Sequence, residues 1–139
     1  MSRQTPRRRP GPPGRESRGS VLIEFALIVP FLLVLTFCVV DVSRAFFVKN
    51  MLHQAAREGA RVFVVANADS ADIRVRQVMD GVNIPITSID HLGPTNMQLG
   101  VRVGTTFHWL YPGLFKWMGA TFQDPMPLTA EAWMRKETP

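Results

Sequence analysis

The hydrophobic positions near the N-terminal end form one long run. Residues 21–40 include seventeen apolar residues, and the exceptions are Glu24, Pro30 and Thr36. A helix of twenty residues rises about 30 Å, which is the thickness of the hydrocarbon core of a bilayer. The run therefore predicts a transmembrane helix over residues 20–41. We expect a kink at Pro30, because proline cannot donate the backbone hydrogen bond of a helix interior.

After this run the apolar positions become periodic. They recur every three or four residues, at Ala45, Val48, Leu52, Ala55, Gly59, Val62 and Ala66. Polar side chains fill the other faces, and no proline interrupts residues 31–84. This spacing is typical of an amphipathic helix, so we predict one continuous helix over residues 20–66, with an amphipathic extension over 42–67. Gly59 costs this helix up to about 1 kcal/mol relative to alanine, unless it permits close packing.

Residues 68–139 predict a small head domain. The stretch NADSADIRVRQVMDG indicates a short second helix, with Asp69 or Ser70 as its N-cap and Gly81 at its end. Residues 83–96 are rich in Pro, Asn, Asp and Gly and predict a loop. Alternating apolar and polar residues predict two strands, in MQLGVRVGTTFHW and LTAEAWMR. The predicted fold class is α+β, a long N-terminal helix and a short second helix with a small antiparallel β head.

The segment between the two predicted strands, residues 107–122, is rich in aromatic residues. We expect these side chains to pack in the core. Where they are exposed beside a membrane, they are suited to contact lipid or a partner subunit.

Charge distinguishes the N-terminal arm from the rest of the chain. Residues 1–19 contain six arginines and one glutamate, whereas residues 20–139 contain ten basic and ten acidic residues. The arm has no apolar residue beyond Met1 and is predicted to be disordered. Its arginines precede the apolar run, which places the N-terminus in the cytoplasm and the head outside. This position favours a topology signal over a nucleic-acid-binding tail, so we expect no nucleic acid as a partner.

Candidate catalytic and metal-binding chemistry is sparse. The single Cys38 excludes an intramolecular disulfide and a cysteine-based metal site. His53, His91 and His108 are scattered, and we expect them to be surface or packing residues. No Gly-rich phosphate loop follows a strand, and no catalytic triad is indicated. The sequence therefore predicts a protein that is not an enzyme and that needs no metal or cofactor.

The most specific pattern lies where the basic arm meets the apolar run. Arg18 and Gly19 end the arm, and Ser20 begins a stretch in which Glu24 is the fifth residue after the glycine. A basic leader that ends in Gly, with a Glu at the fifth position of the following helix, resembles type IV pilin-like precursors. With EFALIVPFLLVLTF, AAREGARVFVV and LTAEAWMR, the chain resembles TadE-like pseudopilins of tight-adherence, or Flp-type, pili. This resemblance covers residues 18–66 strongly and the C-terminal strand weakly.

The resemblance implies a processing event. A prepilin peptidase of the membrane would cut between Gly19 and Ser20 and remove residues 1–19 as a leader. Glu24 would then pair with the new α-amine of an adjacent subunit, which offsets the cost of a carboxylate in hydrocarbon. The basic residues of the leader would hold it at the anionic inner leaflet before cleavage, namely Arg7, Arg8, Arg9, Arg15 and Arg18.

The implied function is that of a minor pilus subunit with a role in assembly, initiation and adhesion. Its partners would be the prepilin peptidase, other pilin or pseudopilin subunits, the assembly platform of the inner membrane, and membrane lipid. The chain would be a single-pass protein of the bacterial inner membrane with an extracytoplasmic head, and its incorporation into a pilus is left open.

Two other interpretations are open. A signal-anchored envelope protein with a small extracytoplasmic binding domain would keep its arm. A secreted protein would be cut after the apolar run, where CVVDVSRAFF is a poor match to a signal-peptidase site. The N-terminal residue of the membrane-bound protein discriminates between the three interpretations. A chain that begins at Ser20 indicates the pilin-like subunit, and an intact arm indicates the signal-anchored protein. A start beyond residue 40 indicates the secreted protein.

Overall fold

A computed structural model of the chain describes residues 16–117, 119 and 123–136. The chain forms two compact units, Met1–Thr36 and Phe37–Pro139. Long helices and an antiparallel sheet confirm the predicted α+β class. In chain order the elements are α1 (Glu16–Val65), α2 (Ala68–Asp80), β1 (Ser88–Thr95), β2 (Gln98–Phe107), α3 (Pro112–Trp117) and β3 (Met126–Arg135).

The described part of the first unit is the apolar beginning of α1. This helix starts at Glu16, four residues before the predicted start at residue 20, and the disorder predicted for the arm stays a prediction. An established helix gains about one backbone hydrogen bond for each residue it adds, which lets it extend past the predicted start. Pro30 lies inside the helix, which continues on both sides of it, and the kink stays a prediction. The large apolar side chains of this part are mostly exposed.

In the second unit, α1 buries one face against the head. The predicted stripe is confirmed at its centre, whereas Ala66 is exposed because the helix has already ended at Val65. Two further alanines widen the stripe into the broad apolar face that a core-facing helix needs. The buried residues of this face are Leu52, Ala55, Ala56, Gly59 and Ala60.

The second helix begins at a different cap from the one predicted. Asn67 is the N-cap of α2, and its side-chain oxygen accepts a hydrogen bond from the backbone N–H of Ser70 at 2.8 Å. The prediction of Asp69 or Ser70 is therefore wrong. Asn67 has an extended backbone, which directs its side chain to the free N–H groups of the first turn. The predicted end at Gly81 is confirmed.

Gly59 permits the close approach of α1 and α2. A Cβ atom at this position would lie 2.5 Å from Cγ2 of Val75 and 3.4 Å from Cγ1 of Val101. The contact with Val75 is too short, so the Val75 side chain or α2 would have to shift, whereas the contact with Val101 has an ordinary van der Waals distance. The structure therefore favours the interpretation that Gly59 permits close packing over the interpretation that it only weakens the helix.

The head contains a three-stranded antiparallel sheet in the order β1-β2-β3. The predicted alternation in β2 and β3 is confirmed, because their apolar residues face α1 and α2 while Arg102 and Glu131 are exposed. Besides the α1 face, the core contains Val75 and Met79 of α2, Val101, Val103 and Phe107 of β2, and Leu128 and Ala130 of β3.

The predicted loop over residues 83–96 is wrong for Ser88–Thr95, which is β1. Asn96 and Met97 both have positive φ angles, 49° and 61°, and form the two-residue turn between paired Thr95 and Gln98. β1 is an edge strand with most of its residues exposed, so it needs no apolar alternation and tolerates Pro94.

Candidate functional site

The predicted cleavage position lies in the first turns of α1. Gly19 and Ser20 are exposed, and a Cβ atom added to Gly19 would meet no atom within 4 Å. Both residues are helical, whereas a protease cleft needs an extended segment. The first four N–H groups of a helix lack intrahelical partners, so this end is where local opening costs least.

Glu24 lies four residues after Ser20 in the same helix. Residues separated by four positions share a helix face, so a chain that begins at Ser20 carries its α-amine and this carboxylate on one side. The side chain of Glu24 is exposed, and within the described residues it has no hydrogen bond or ion pair. The carboxylate is thus available to a group from outside the chain.

The leader arginines are mostly beyond what the structure describes. Arg7, Arg8, Arg9 and Arg15 lie outside the described residues. The backbone of Arg18 belongs to the first turn of α1. Their predicted role at the inner leaflet stays a prediction.

Asp41 is a functional candidate that the sequence reasoning missed. It is fully buried, and its two carboxylate oxygens accept hydrogen bonds from the backbone N–H groups of Leu110 at 3.1 Å and Tyr111 at 3.3 Å. Arg44, one turn further along α1, forms an ion pair with the same carboxylate at 3.3 Å. A buried carboxylate is tolerated only when charge and hydrogen bonds satisfy it, and here three donors do so.

Aromatic rings surround this carboxylate contact. Tyr111 stacks on Phe37 with ring centroids 4.4 Å apart, and the guanidinium of Arg44 lies 5.2 Å from the ring centroid of Phe107. Trp109 contacts the rings of both Phe107 and Phe115. Asp41 therefore ties α1 to the residues that lead from β2 into α3.

The aromatic segment predicted over residues 107–122 divides into two groups. Phe107 and Phe115 are buried, which confirms the expectation of core packing for them. Leu110, Tyr111 and Trp117 are exposed instead. Residues 118 and 120–122 of this segment lie outside the described residues.

The ion pairs of the head connect its elements. Glu58 of α1 pairs with Arg61 at 3.1 Å and with Arg74 of α2 at 3.3 Å. The hydrogen bond from Arg61, with help from Arg74, lowers the pKa of Glu58 from its ordinary value of 4.5. On the sheet, Arg102 and Glu131 are cross-strand partners at 2.8 Å, and the Arg102 hydrogen bond lowers the pKa of Glu131.

The histidines are surface and packing residues, as expected. Nε2 of His91 lies 3.0 Å from Oδ1 of Asp72, and its ring packs beside Phe63. His53 and His108 are exposed. Over residues 16–117, 119 and 123–136, no three His, Cys, Asp or Glu side chains form a group that could hold a metal ion.

One helix within the described residues is long and apolar enough to cross a membrane, and it covers Gly19–Val65. Its most apolar window is not buried in the protein, unlike the core helix of a soluble domain. A signal sequence near an N-terminus has the same properties, so the helix fits a membrane anchor without defining its processing.

Comparison with known families supplies a further observation about this helix. Residues 19–61 match the family model described as TadE-like protein. The resemblance to TadE-like proteins is confirmed over this segment. No curated protein and no solved structure matches the chain.

The TadE-like segment contains most of the α1 residues described above, and Arg18 and Phe63 lie outside it. It begins at Gly19 and includes Glu24, Asp41 and Gly59. The helix α2, the sheet and the α3 region lie beyond it. The family match therefore concerns the helix, and the backbone partners of Asp41 at Leu110 and Tyr111 lie outside the matched segment.

Proposed function

We propose that the chain is a pilin-like minor subunit of a tight-adherence type IV pilus. The observation that carries this proposal is the TadE-like match over residues 19–61, which starts at the proposed cleavage position. The exposed apolar helix supports it, because a membrane anchor needs such a surface. In this function the chain contributes to pilus assembly, initiation and adhesion through contacts with other subunits and the assembly platform, and it catalyses no reaction.

The proposed organisation follows the chain. Residues 1–19 are a leader, 20–41 cross the inner membrane, 42–67 extend the helix, and 68–139 form a periplasmic head. The arginines of the leader hold the N-terminus in the cytoplasm. A prepilin peptidase then removes the leader between Gly19 and Ser20.

The role of Glu24 in this function is to set the axial register between subunits. A carboxylate in hydrocarbon costs about 3 kcal/mol or less on insertion scales, and less near the edge of the membrane. The α-amine that cleavage creates at Ser20 supplies a positive partner from a neighbouring subunit. Because the pair forms only at one relative height of two parallel helices, it favours one arrangement over the others.

The processing step is tested by substitution of Gly19 with leucine. The space around this residue is open, so the variant retains its fold and any defect reports on the peptidase. Gly113 is a matched control, since a Cβ atom there also meets no atom within 4 Å. The full chain and both variants are produced with the cognate peptidase, and the intact mass of each membrane-bound protein is measured.

We expect wild type and Gly113→Leu to begin at Ser20, and Gly19→Leu to keep its leader. Normal removal of the leader from Gly19→Leu would contradict cleavage at this bond.

A second candidate function is an unprocessed signal-anchored envelope protein. The helical backbone across Gly19 and Ser20 favours it, because this segment must open before a protease can bind. An intact N-terminus on the wild-type protein, in cells with active peptidase, would establish this function in place of the first.

A further inference from the structure

The residues around α3 present apolar side chains to the surface. Trp117 is 80 % exposed, Leu110 is 51 % exposed and Tyr111 is 37 % exposed. Lys116 is also exposed, between the buried Phe115 and Trp117. We name residues 110–117 the α3 segment. Large exposed side chains of this kind mark a contact surface when they occur together.

The α3 segment is fixed to α1 at a defined height. Asp41 accepts hydrogen bonds from the N–H groups of Leu110 and Tyr111, and the ring of Tyr111 stacks on Phe37 at 4.4 Å. All of these residues belong to the second unit. The segment cannot move along the helix without breaking these contacts.

This height coincides with the end of the apolar run. Phe37 is one of the last four residues of the run over residues 21–40, and a span of about 20 residues fills the hydrocarbon core. Exposed apolar residues continue a little further on α1, at Val42, Phe46 and Phe47. In the proposed anchoring, Tyr111 therefore contacts a residue at the boundary between hydrocarbon and headgroups.

The composition of the α3 segment fits this boundary. Tryptophan and tyrosine concentrate at the membrane–water interface, where an apolar ring and a polar group are both accommodated. Lysine extends its ammonium toward the phosphates while its chain stays in the apolar layer. In water, the same side chains would leave an apolar surface uncovered.

We propose that the α3 segment is a second membrane contact, which inserts Leu110, Tyr111 and Trp117 into the lipid interface. The proposal rests on the membrane anchoring described under the proposed function. Lipid is the occupant because Tyr111 packs on Phe37, which belongs to the apolar run, so the α3 segment lies beside a residue that lipid covers in the proposed anchoring. Asp41 holds the segment at this depth.

Fluorescence quenching by brominated lipid tests the contact. The full chain is reconstituted in vesicles of phosphatidylcholine and phosphatidylglycerol whose acyl chains carry bromine near the headgroup. The chain contains three tryptophans, and wild type is compared with Trp117→Phe and Trp133→Phe. Trp133 is the matched control, because it is exposed on β3 in the sheet and is not part of the α3 segment.

We expect the Trp117→Phe variant to lose about half or more of the lipid-quenchable emission, because an interfacial tryptophan lies within reach of the bromines. The Trp133→Phe variant keeps that quenchable emission. The contact would be overturned if Trp117→Phe and Trp133→Phe lost equal fractions of the lipid-quenchable emission, or if neither variant lost any. Emission of Trp117 that is blue-shifted and unquenched would also overturn it, and would indicate a protein partner at this surface.

A further variant separates this inference from the anchoring on which it rests. Phe31→Trp adds a tryptophan near the middle of the predicted span. This variant is measured in vesicles of the same lipids whose acyl chains carry bromine near their ends, at the centre of the bilayer, because a span of about 20 residues places its middle there. If Phe31→Trp gains quenching while Trp117 shows none, the α3 contact is wrong and the anchoring stands. If neither is quenched, the span does not enter the bilayer, and the proposed function fails together with the inference.

Discussion

Two carboxylates on the same helix differ in what surrounds them. Glu24 is exposed in the apolar part of α1 and has no partner within the described residues, whereas Asp41 is fully buried and accepts from two backbone N–H groups and Arg44. A carboxylate satisfied inside the chain serves the fold of that chain. We propose that a carboxylate left open in an apolar surface serves an interaction that the single chain does not contain.

The largest effect is expected from Glu24→Gln. The variant removes the charge but keeps the size of the side chain, so membrane insertion and the head are unchanged while filament assembly is lost. Assembly is measured by counting pili on cells, with membrane extraction as the measure of insertion. Normal pilus numbers would show that Glu24 has no role in assembly. The exposure of its carboxylate would then have no functional consequence.

The second-largest effect is expected from Asp41→Ala, which lowers the stability of the folded chain. Hydrogen bonds to a charged group contribute about 1.5–3 kcal/mol each, so the loss of two such bonds lowers the free energy of unfolding by about 3 kcal/mol. Urea unfolding of the full chain in detergent, followed by circular dichroism, measures this change.

Glu24→Ala is the control for Asp41→Ala, and we expect it to leave the unfolding midpoint unchanged. Equal destabilisation by the two variants would contradict the distinction between an internal and an open carboxylate.

Gly19 and Gly59 test the same difference between the exposed and the packed part of α1. Gly59→Val places a side chain against Val75 and Val101, and overpacking of this kind costs about 1–3 kcal/mol. Gly19→Val meets open space and leaves stability of the head unchanged. Thermal unfolding of both variants checks this, and a stable Gly59→Val would show that α2 shifts without cost.

The smallest effect concerns pH. Arg61 and Arg74 lower the pKa of Glu58, so the folded protein keeps this carboxylate ionised more readily than the unfolded chain. The stabilisation is fully present above the ordinary pKa of 4.5 and is lost as the pH falls through the lower folded value. Because the pair is at the surface, its contribution is about 0.5 kcal/mol or less.

The Glu58→Gln variant removes this contribution. Comparison of its acid unfolding curve with that of wild type isolates it, since the other carboxylates are common to both proteins. Identical curves at every pH would show that the pair adds nothing to stability.

The sequence predicted those elements whose pattern is local. The apolar run and the three-to-four spacing predicted α1, and alternation predicted β2 and β3. These signals are periodic, so they can be recognised without knowledge of what the element packs against. The proposed processing motif is also local, a fixed spacing between Gly19 and Glu24, and it stays a prediction.

The features that were missed depend on contacts between distant residues. β1 is an edge strand whose exposed residues carry no alternation, and its pairing depends on the turn at Asn96 and Met97. Asp41 gave one local signal, a charge directly after the apolar run with Arg44 one turn later. Its partners lie about seventy residues further along the chain, and no spacing predicts them.

The chemical state of the subunit within a filament tests the central claim most directly. Pili are sheared from cells, purified, and the N-terminal residue of this chain is determined by mass spectrometry. We predict a chain that begins at Ser20 with a free or modified α-amine. A chain with its arginine-rich leader still attached, in filaments of normal number, would contradict the pairing of Glu24 with a newly created amine.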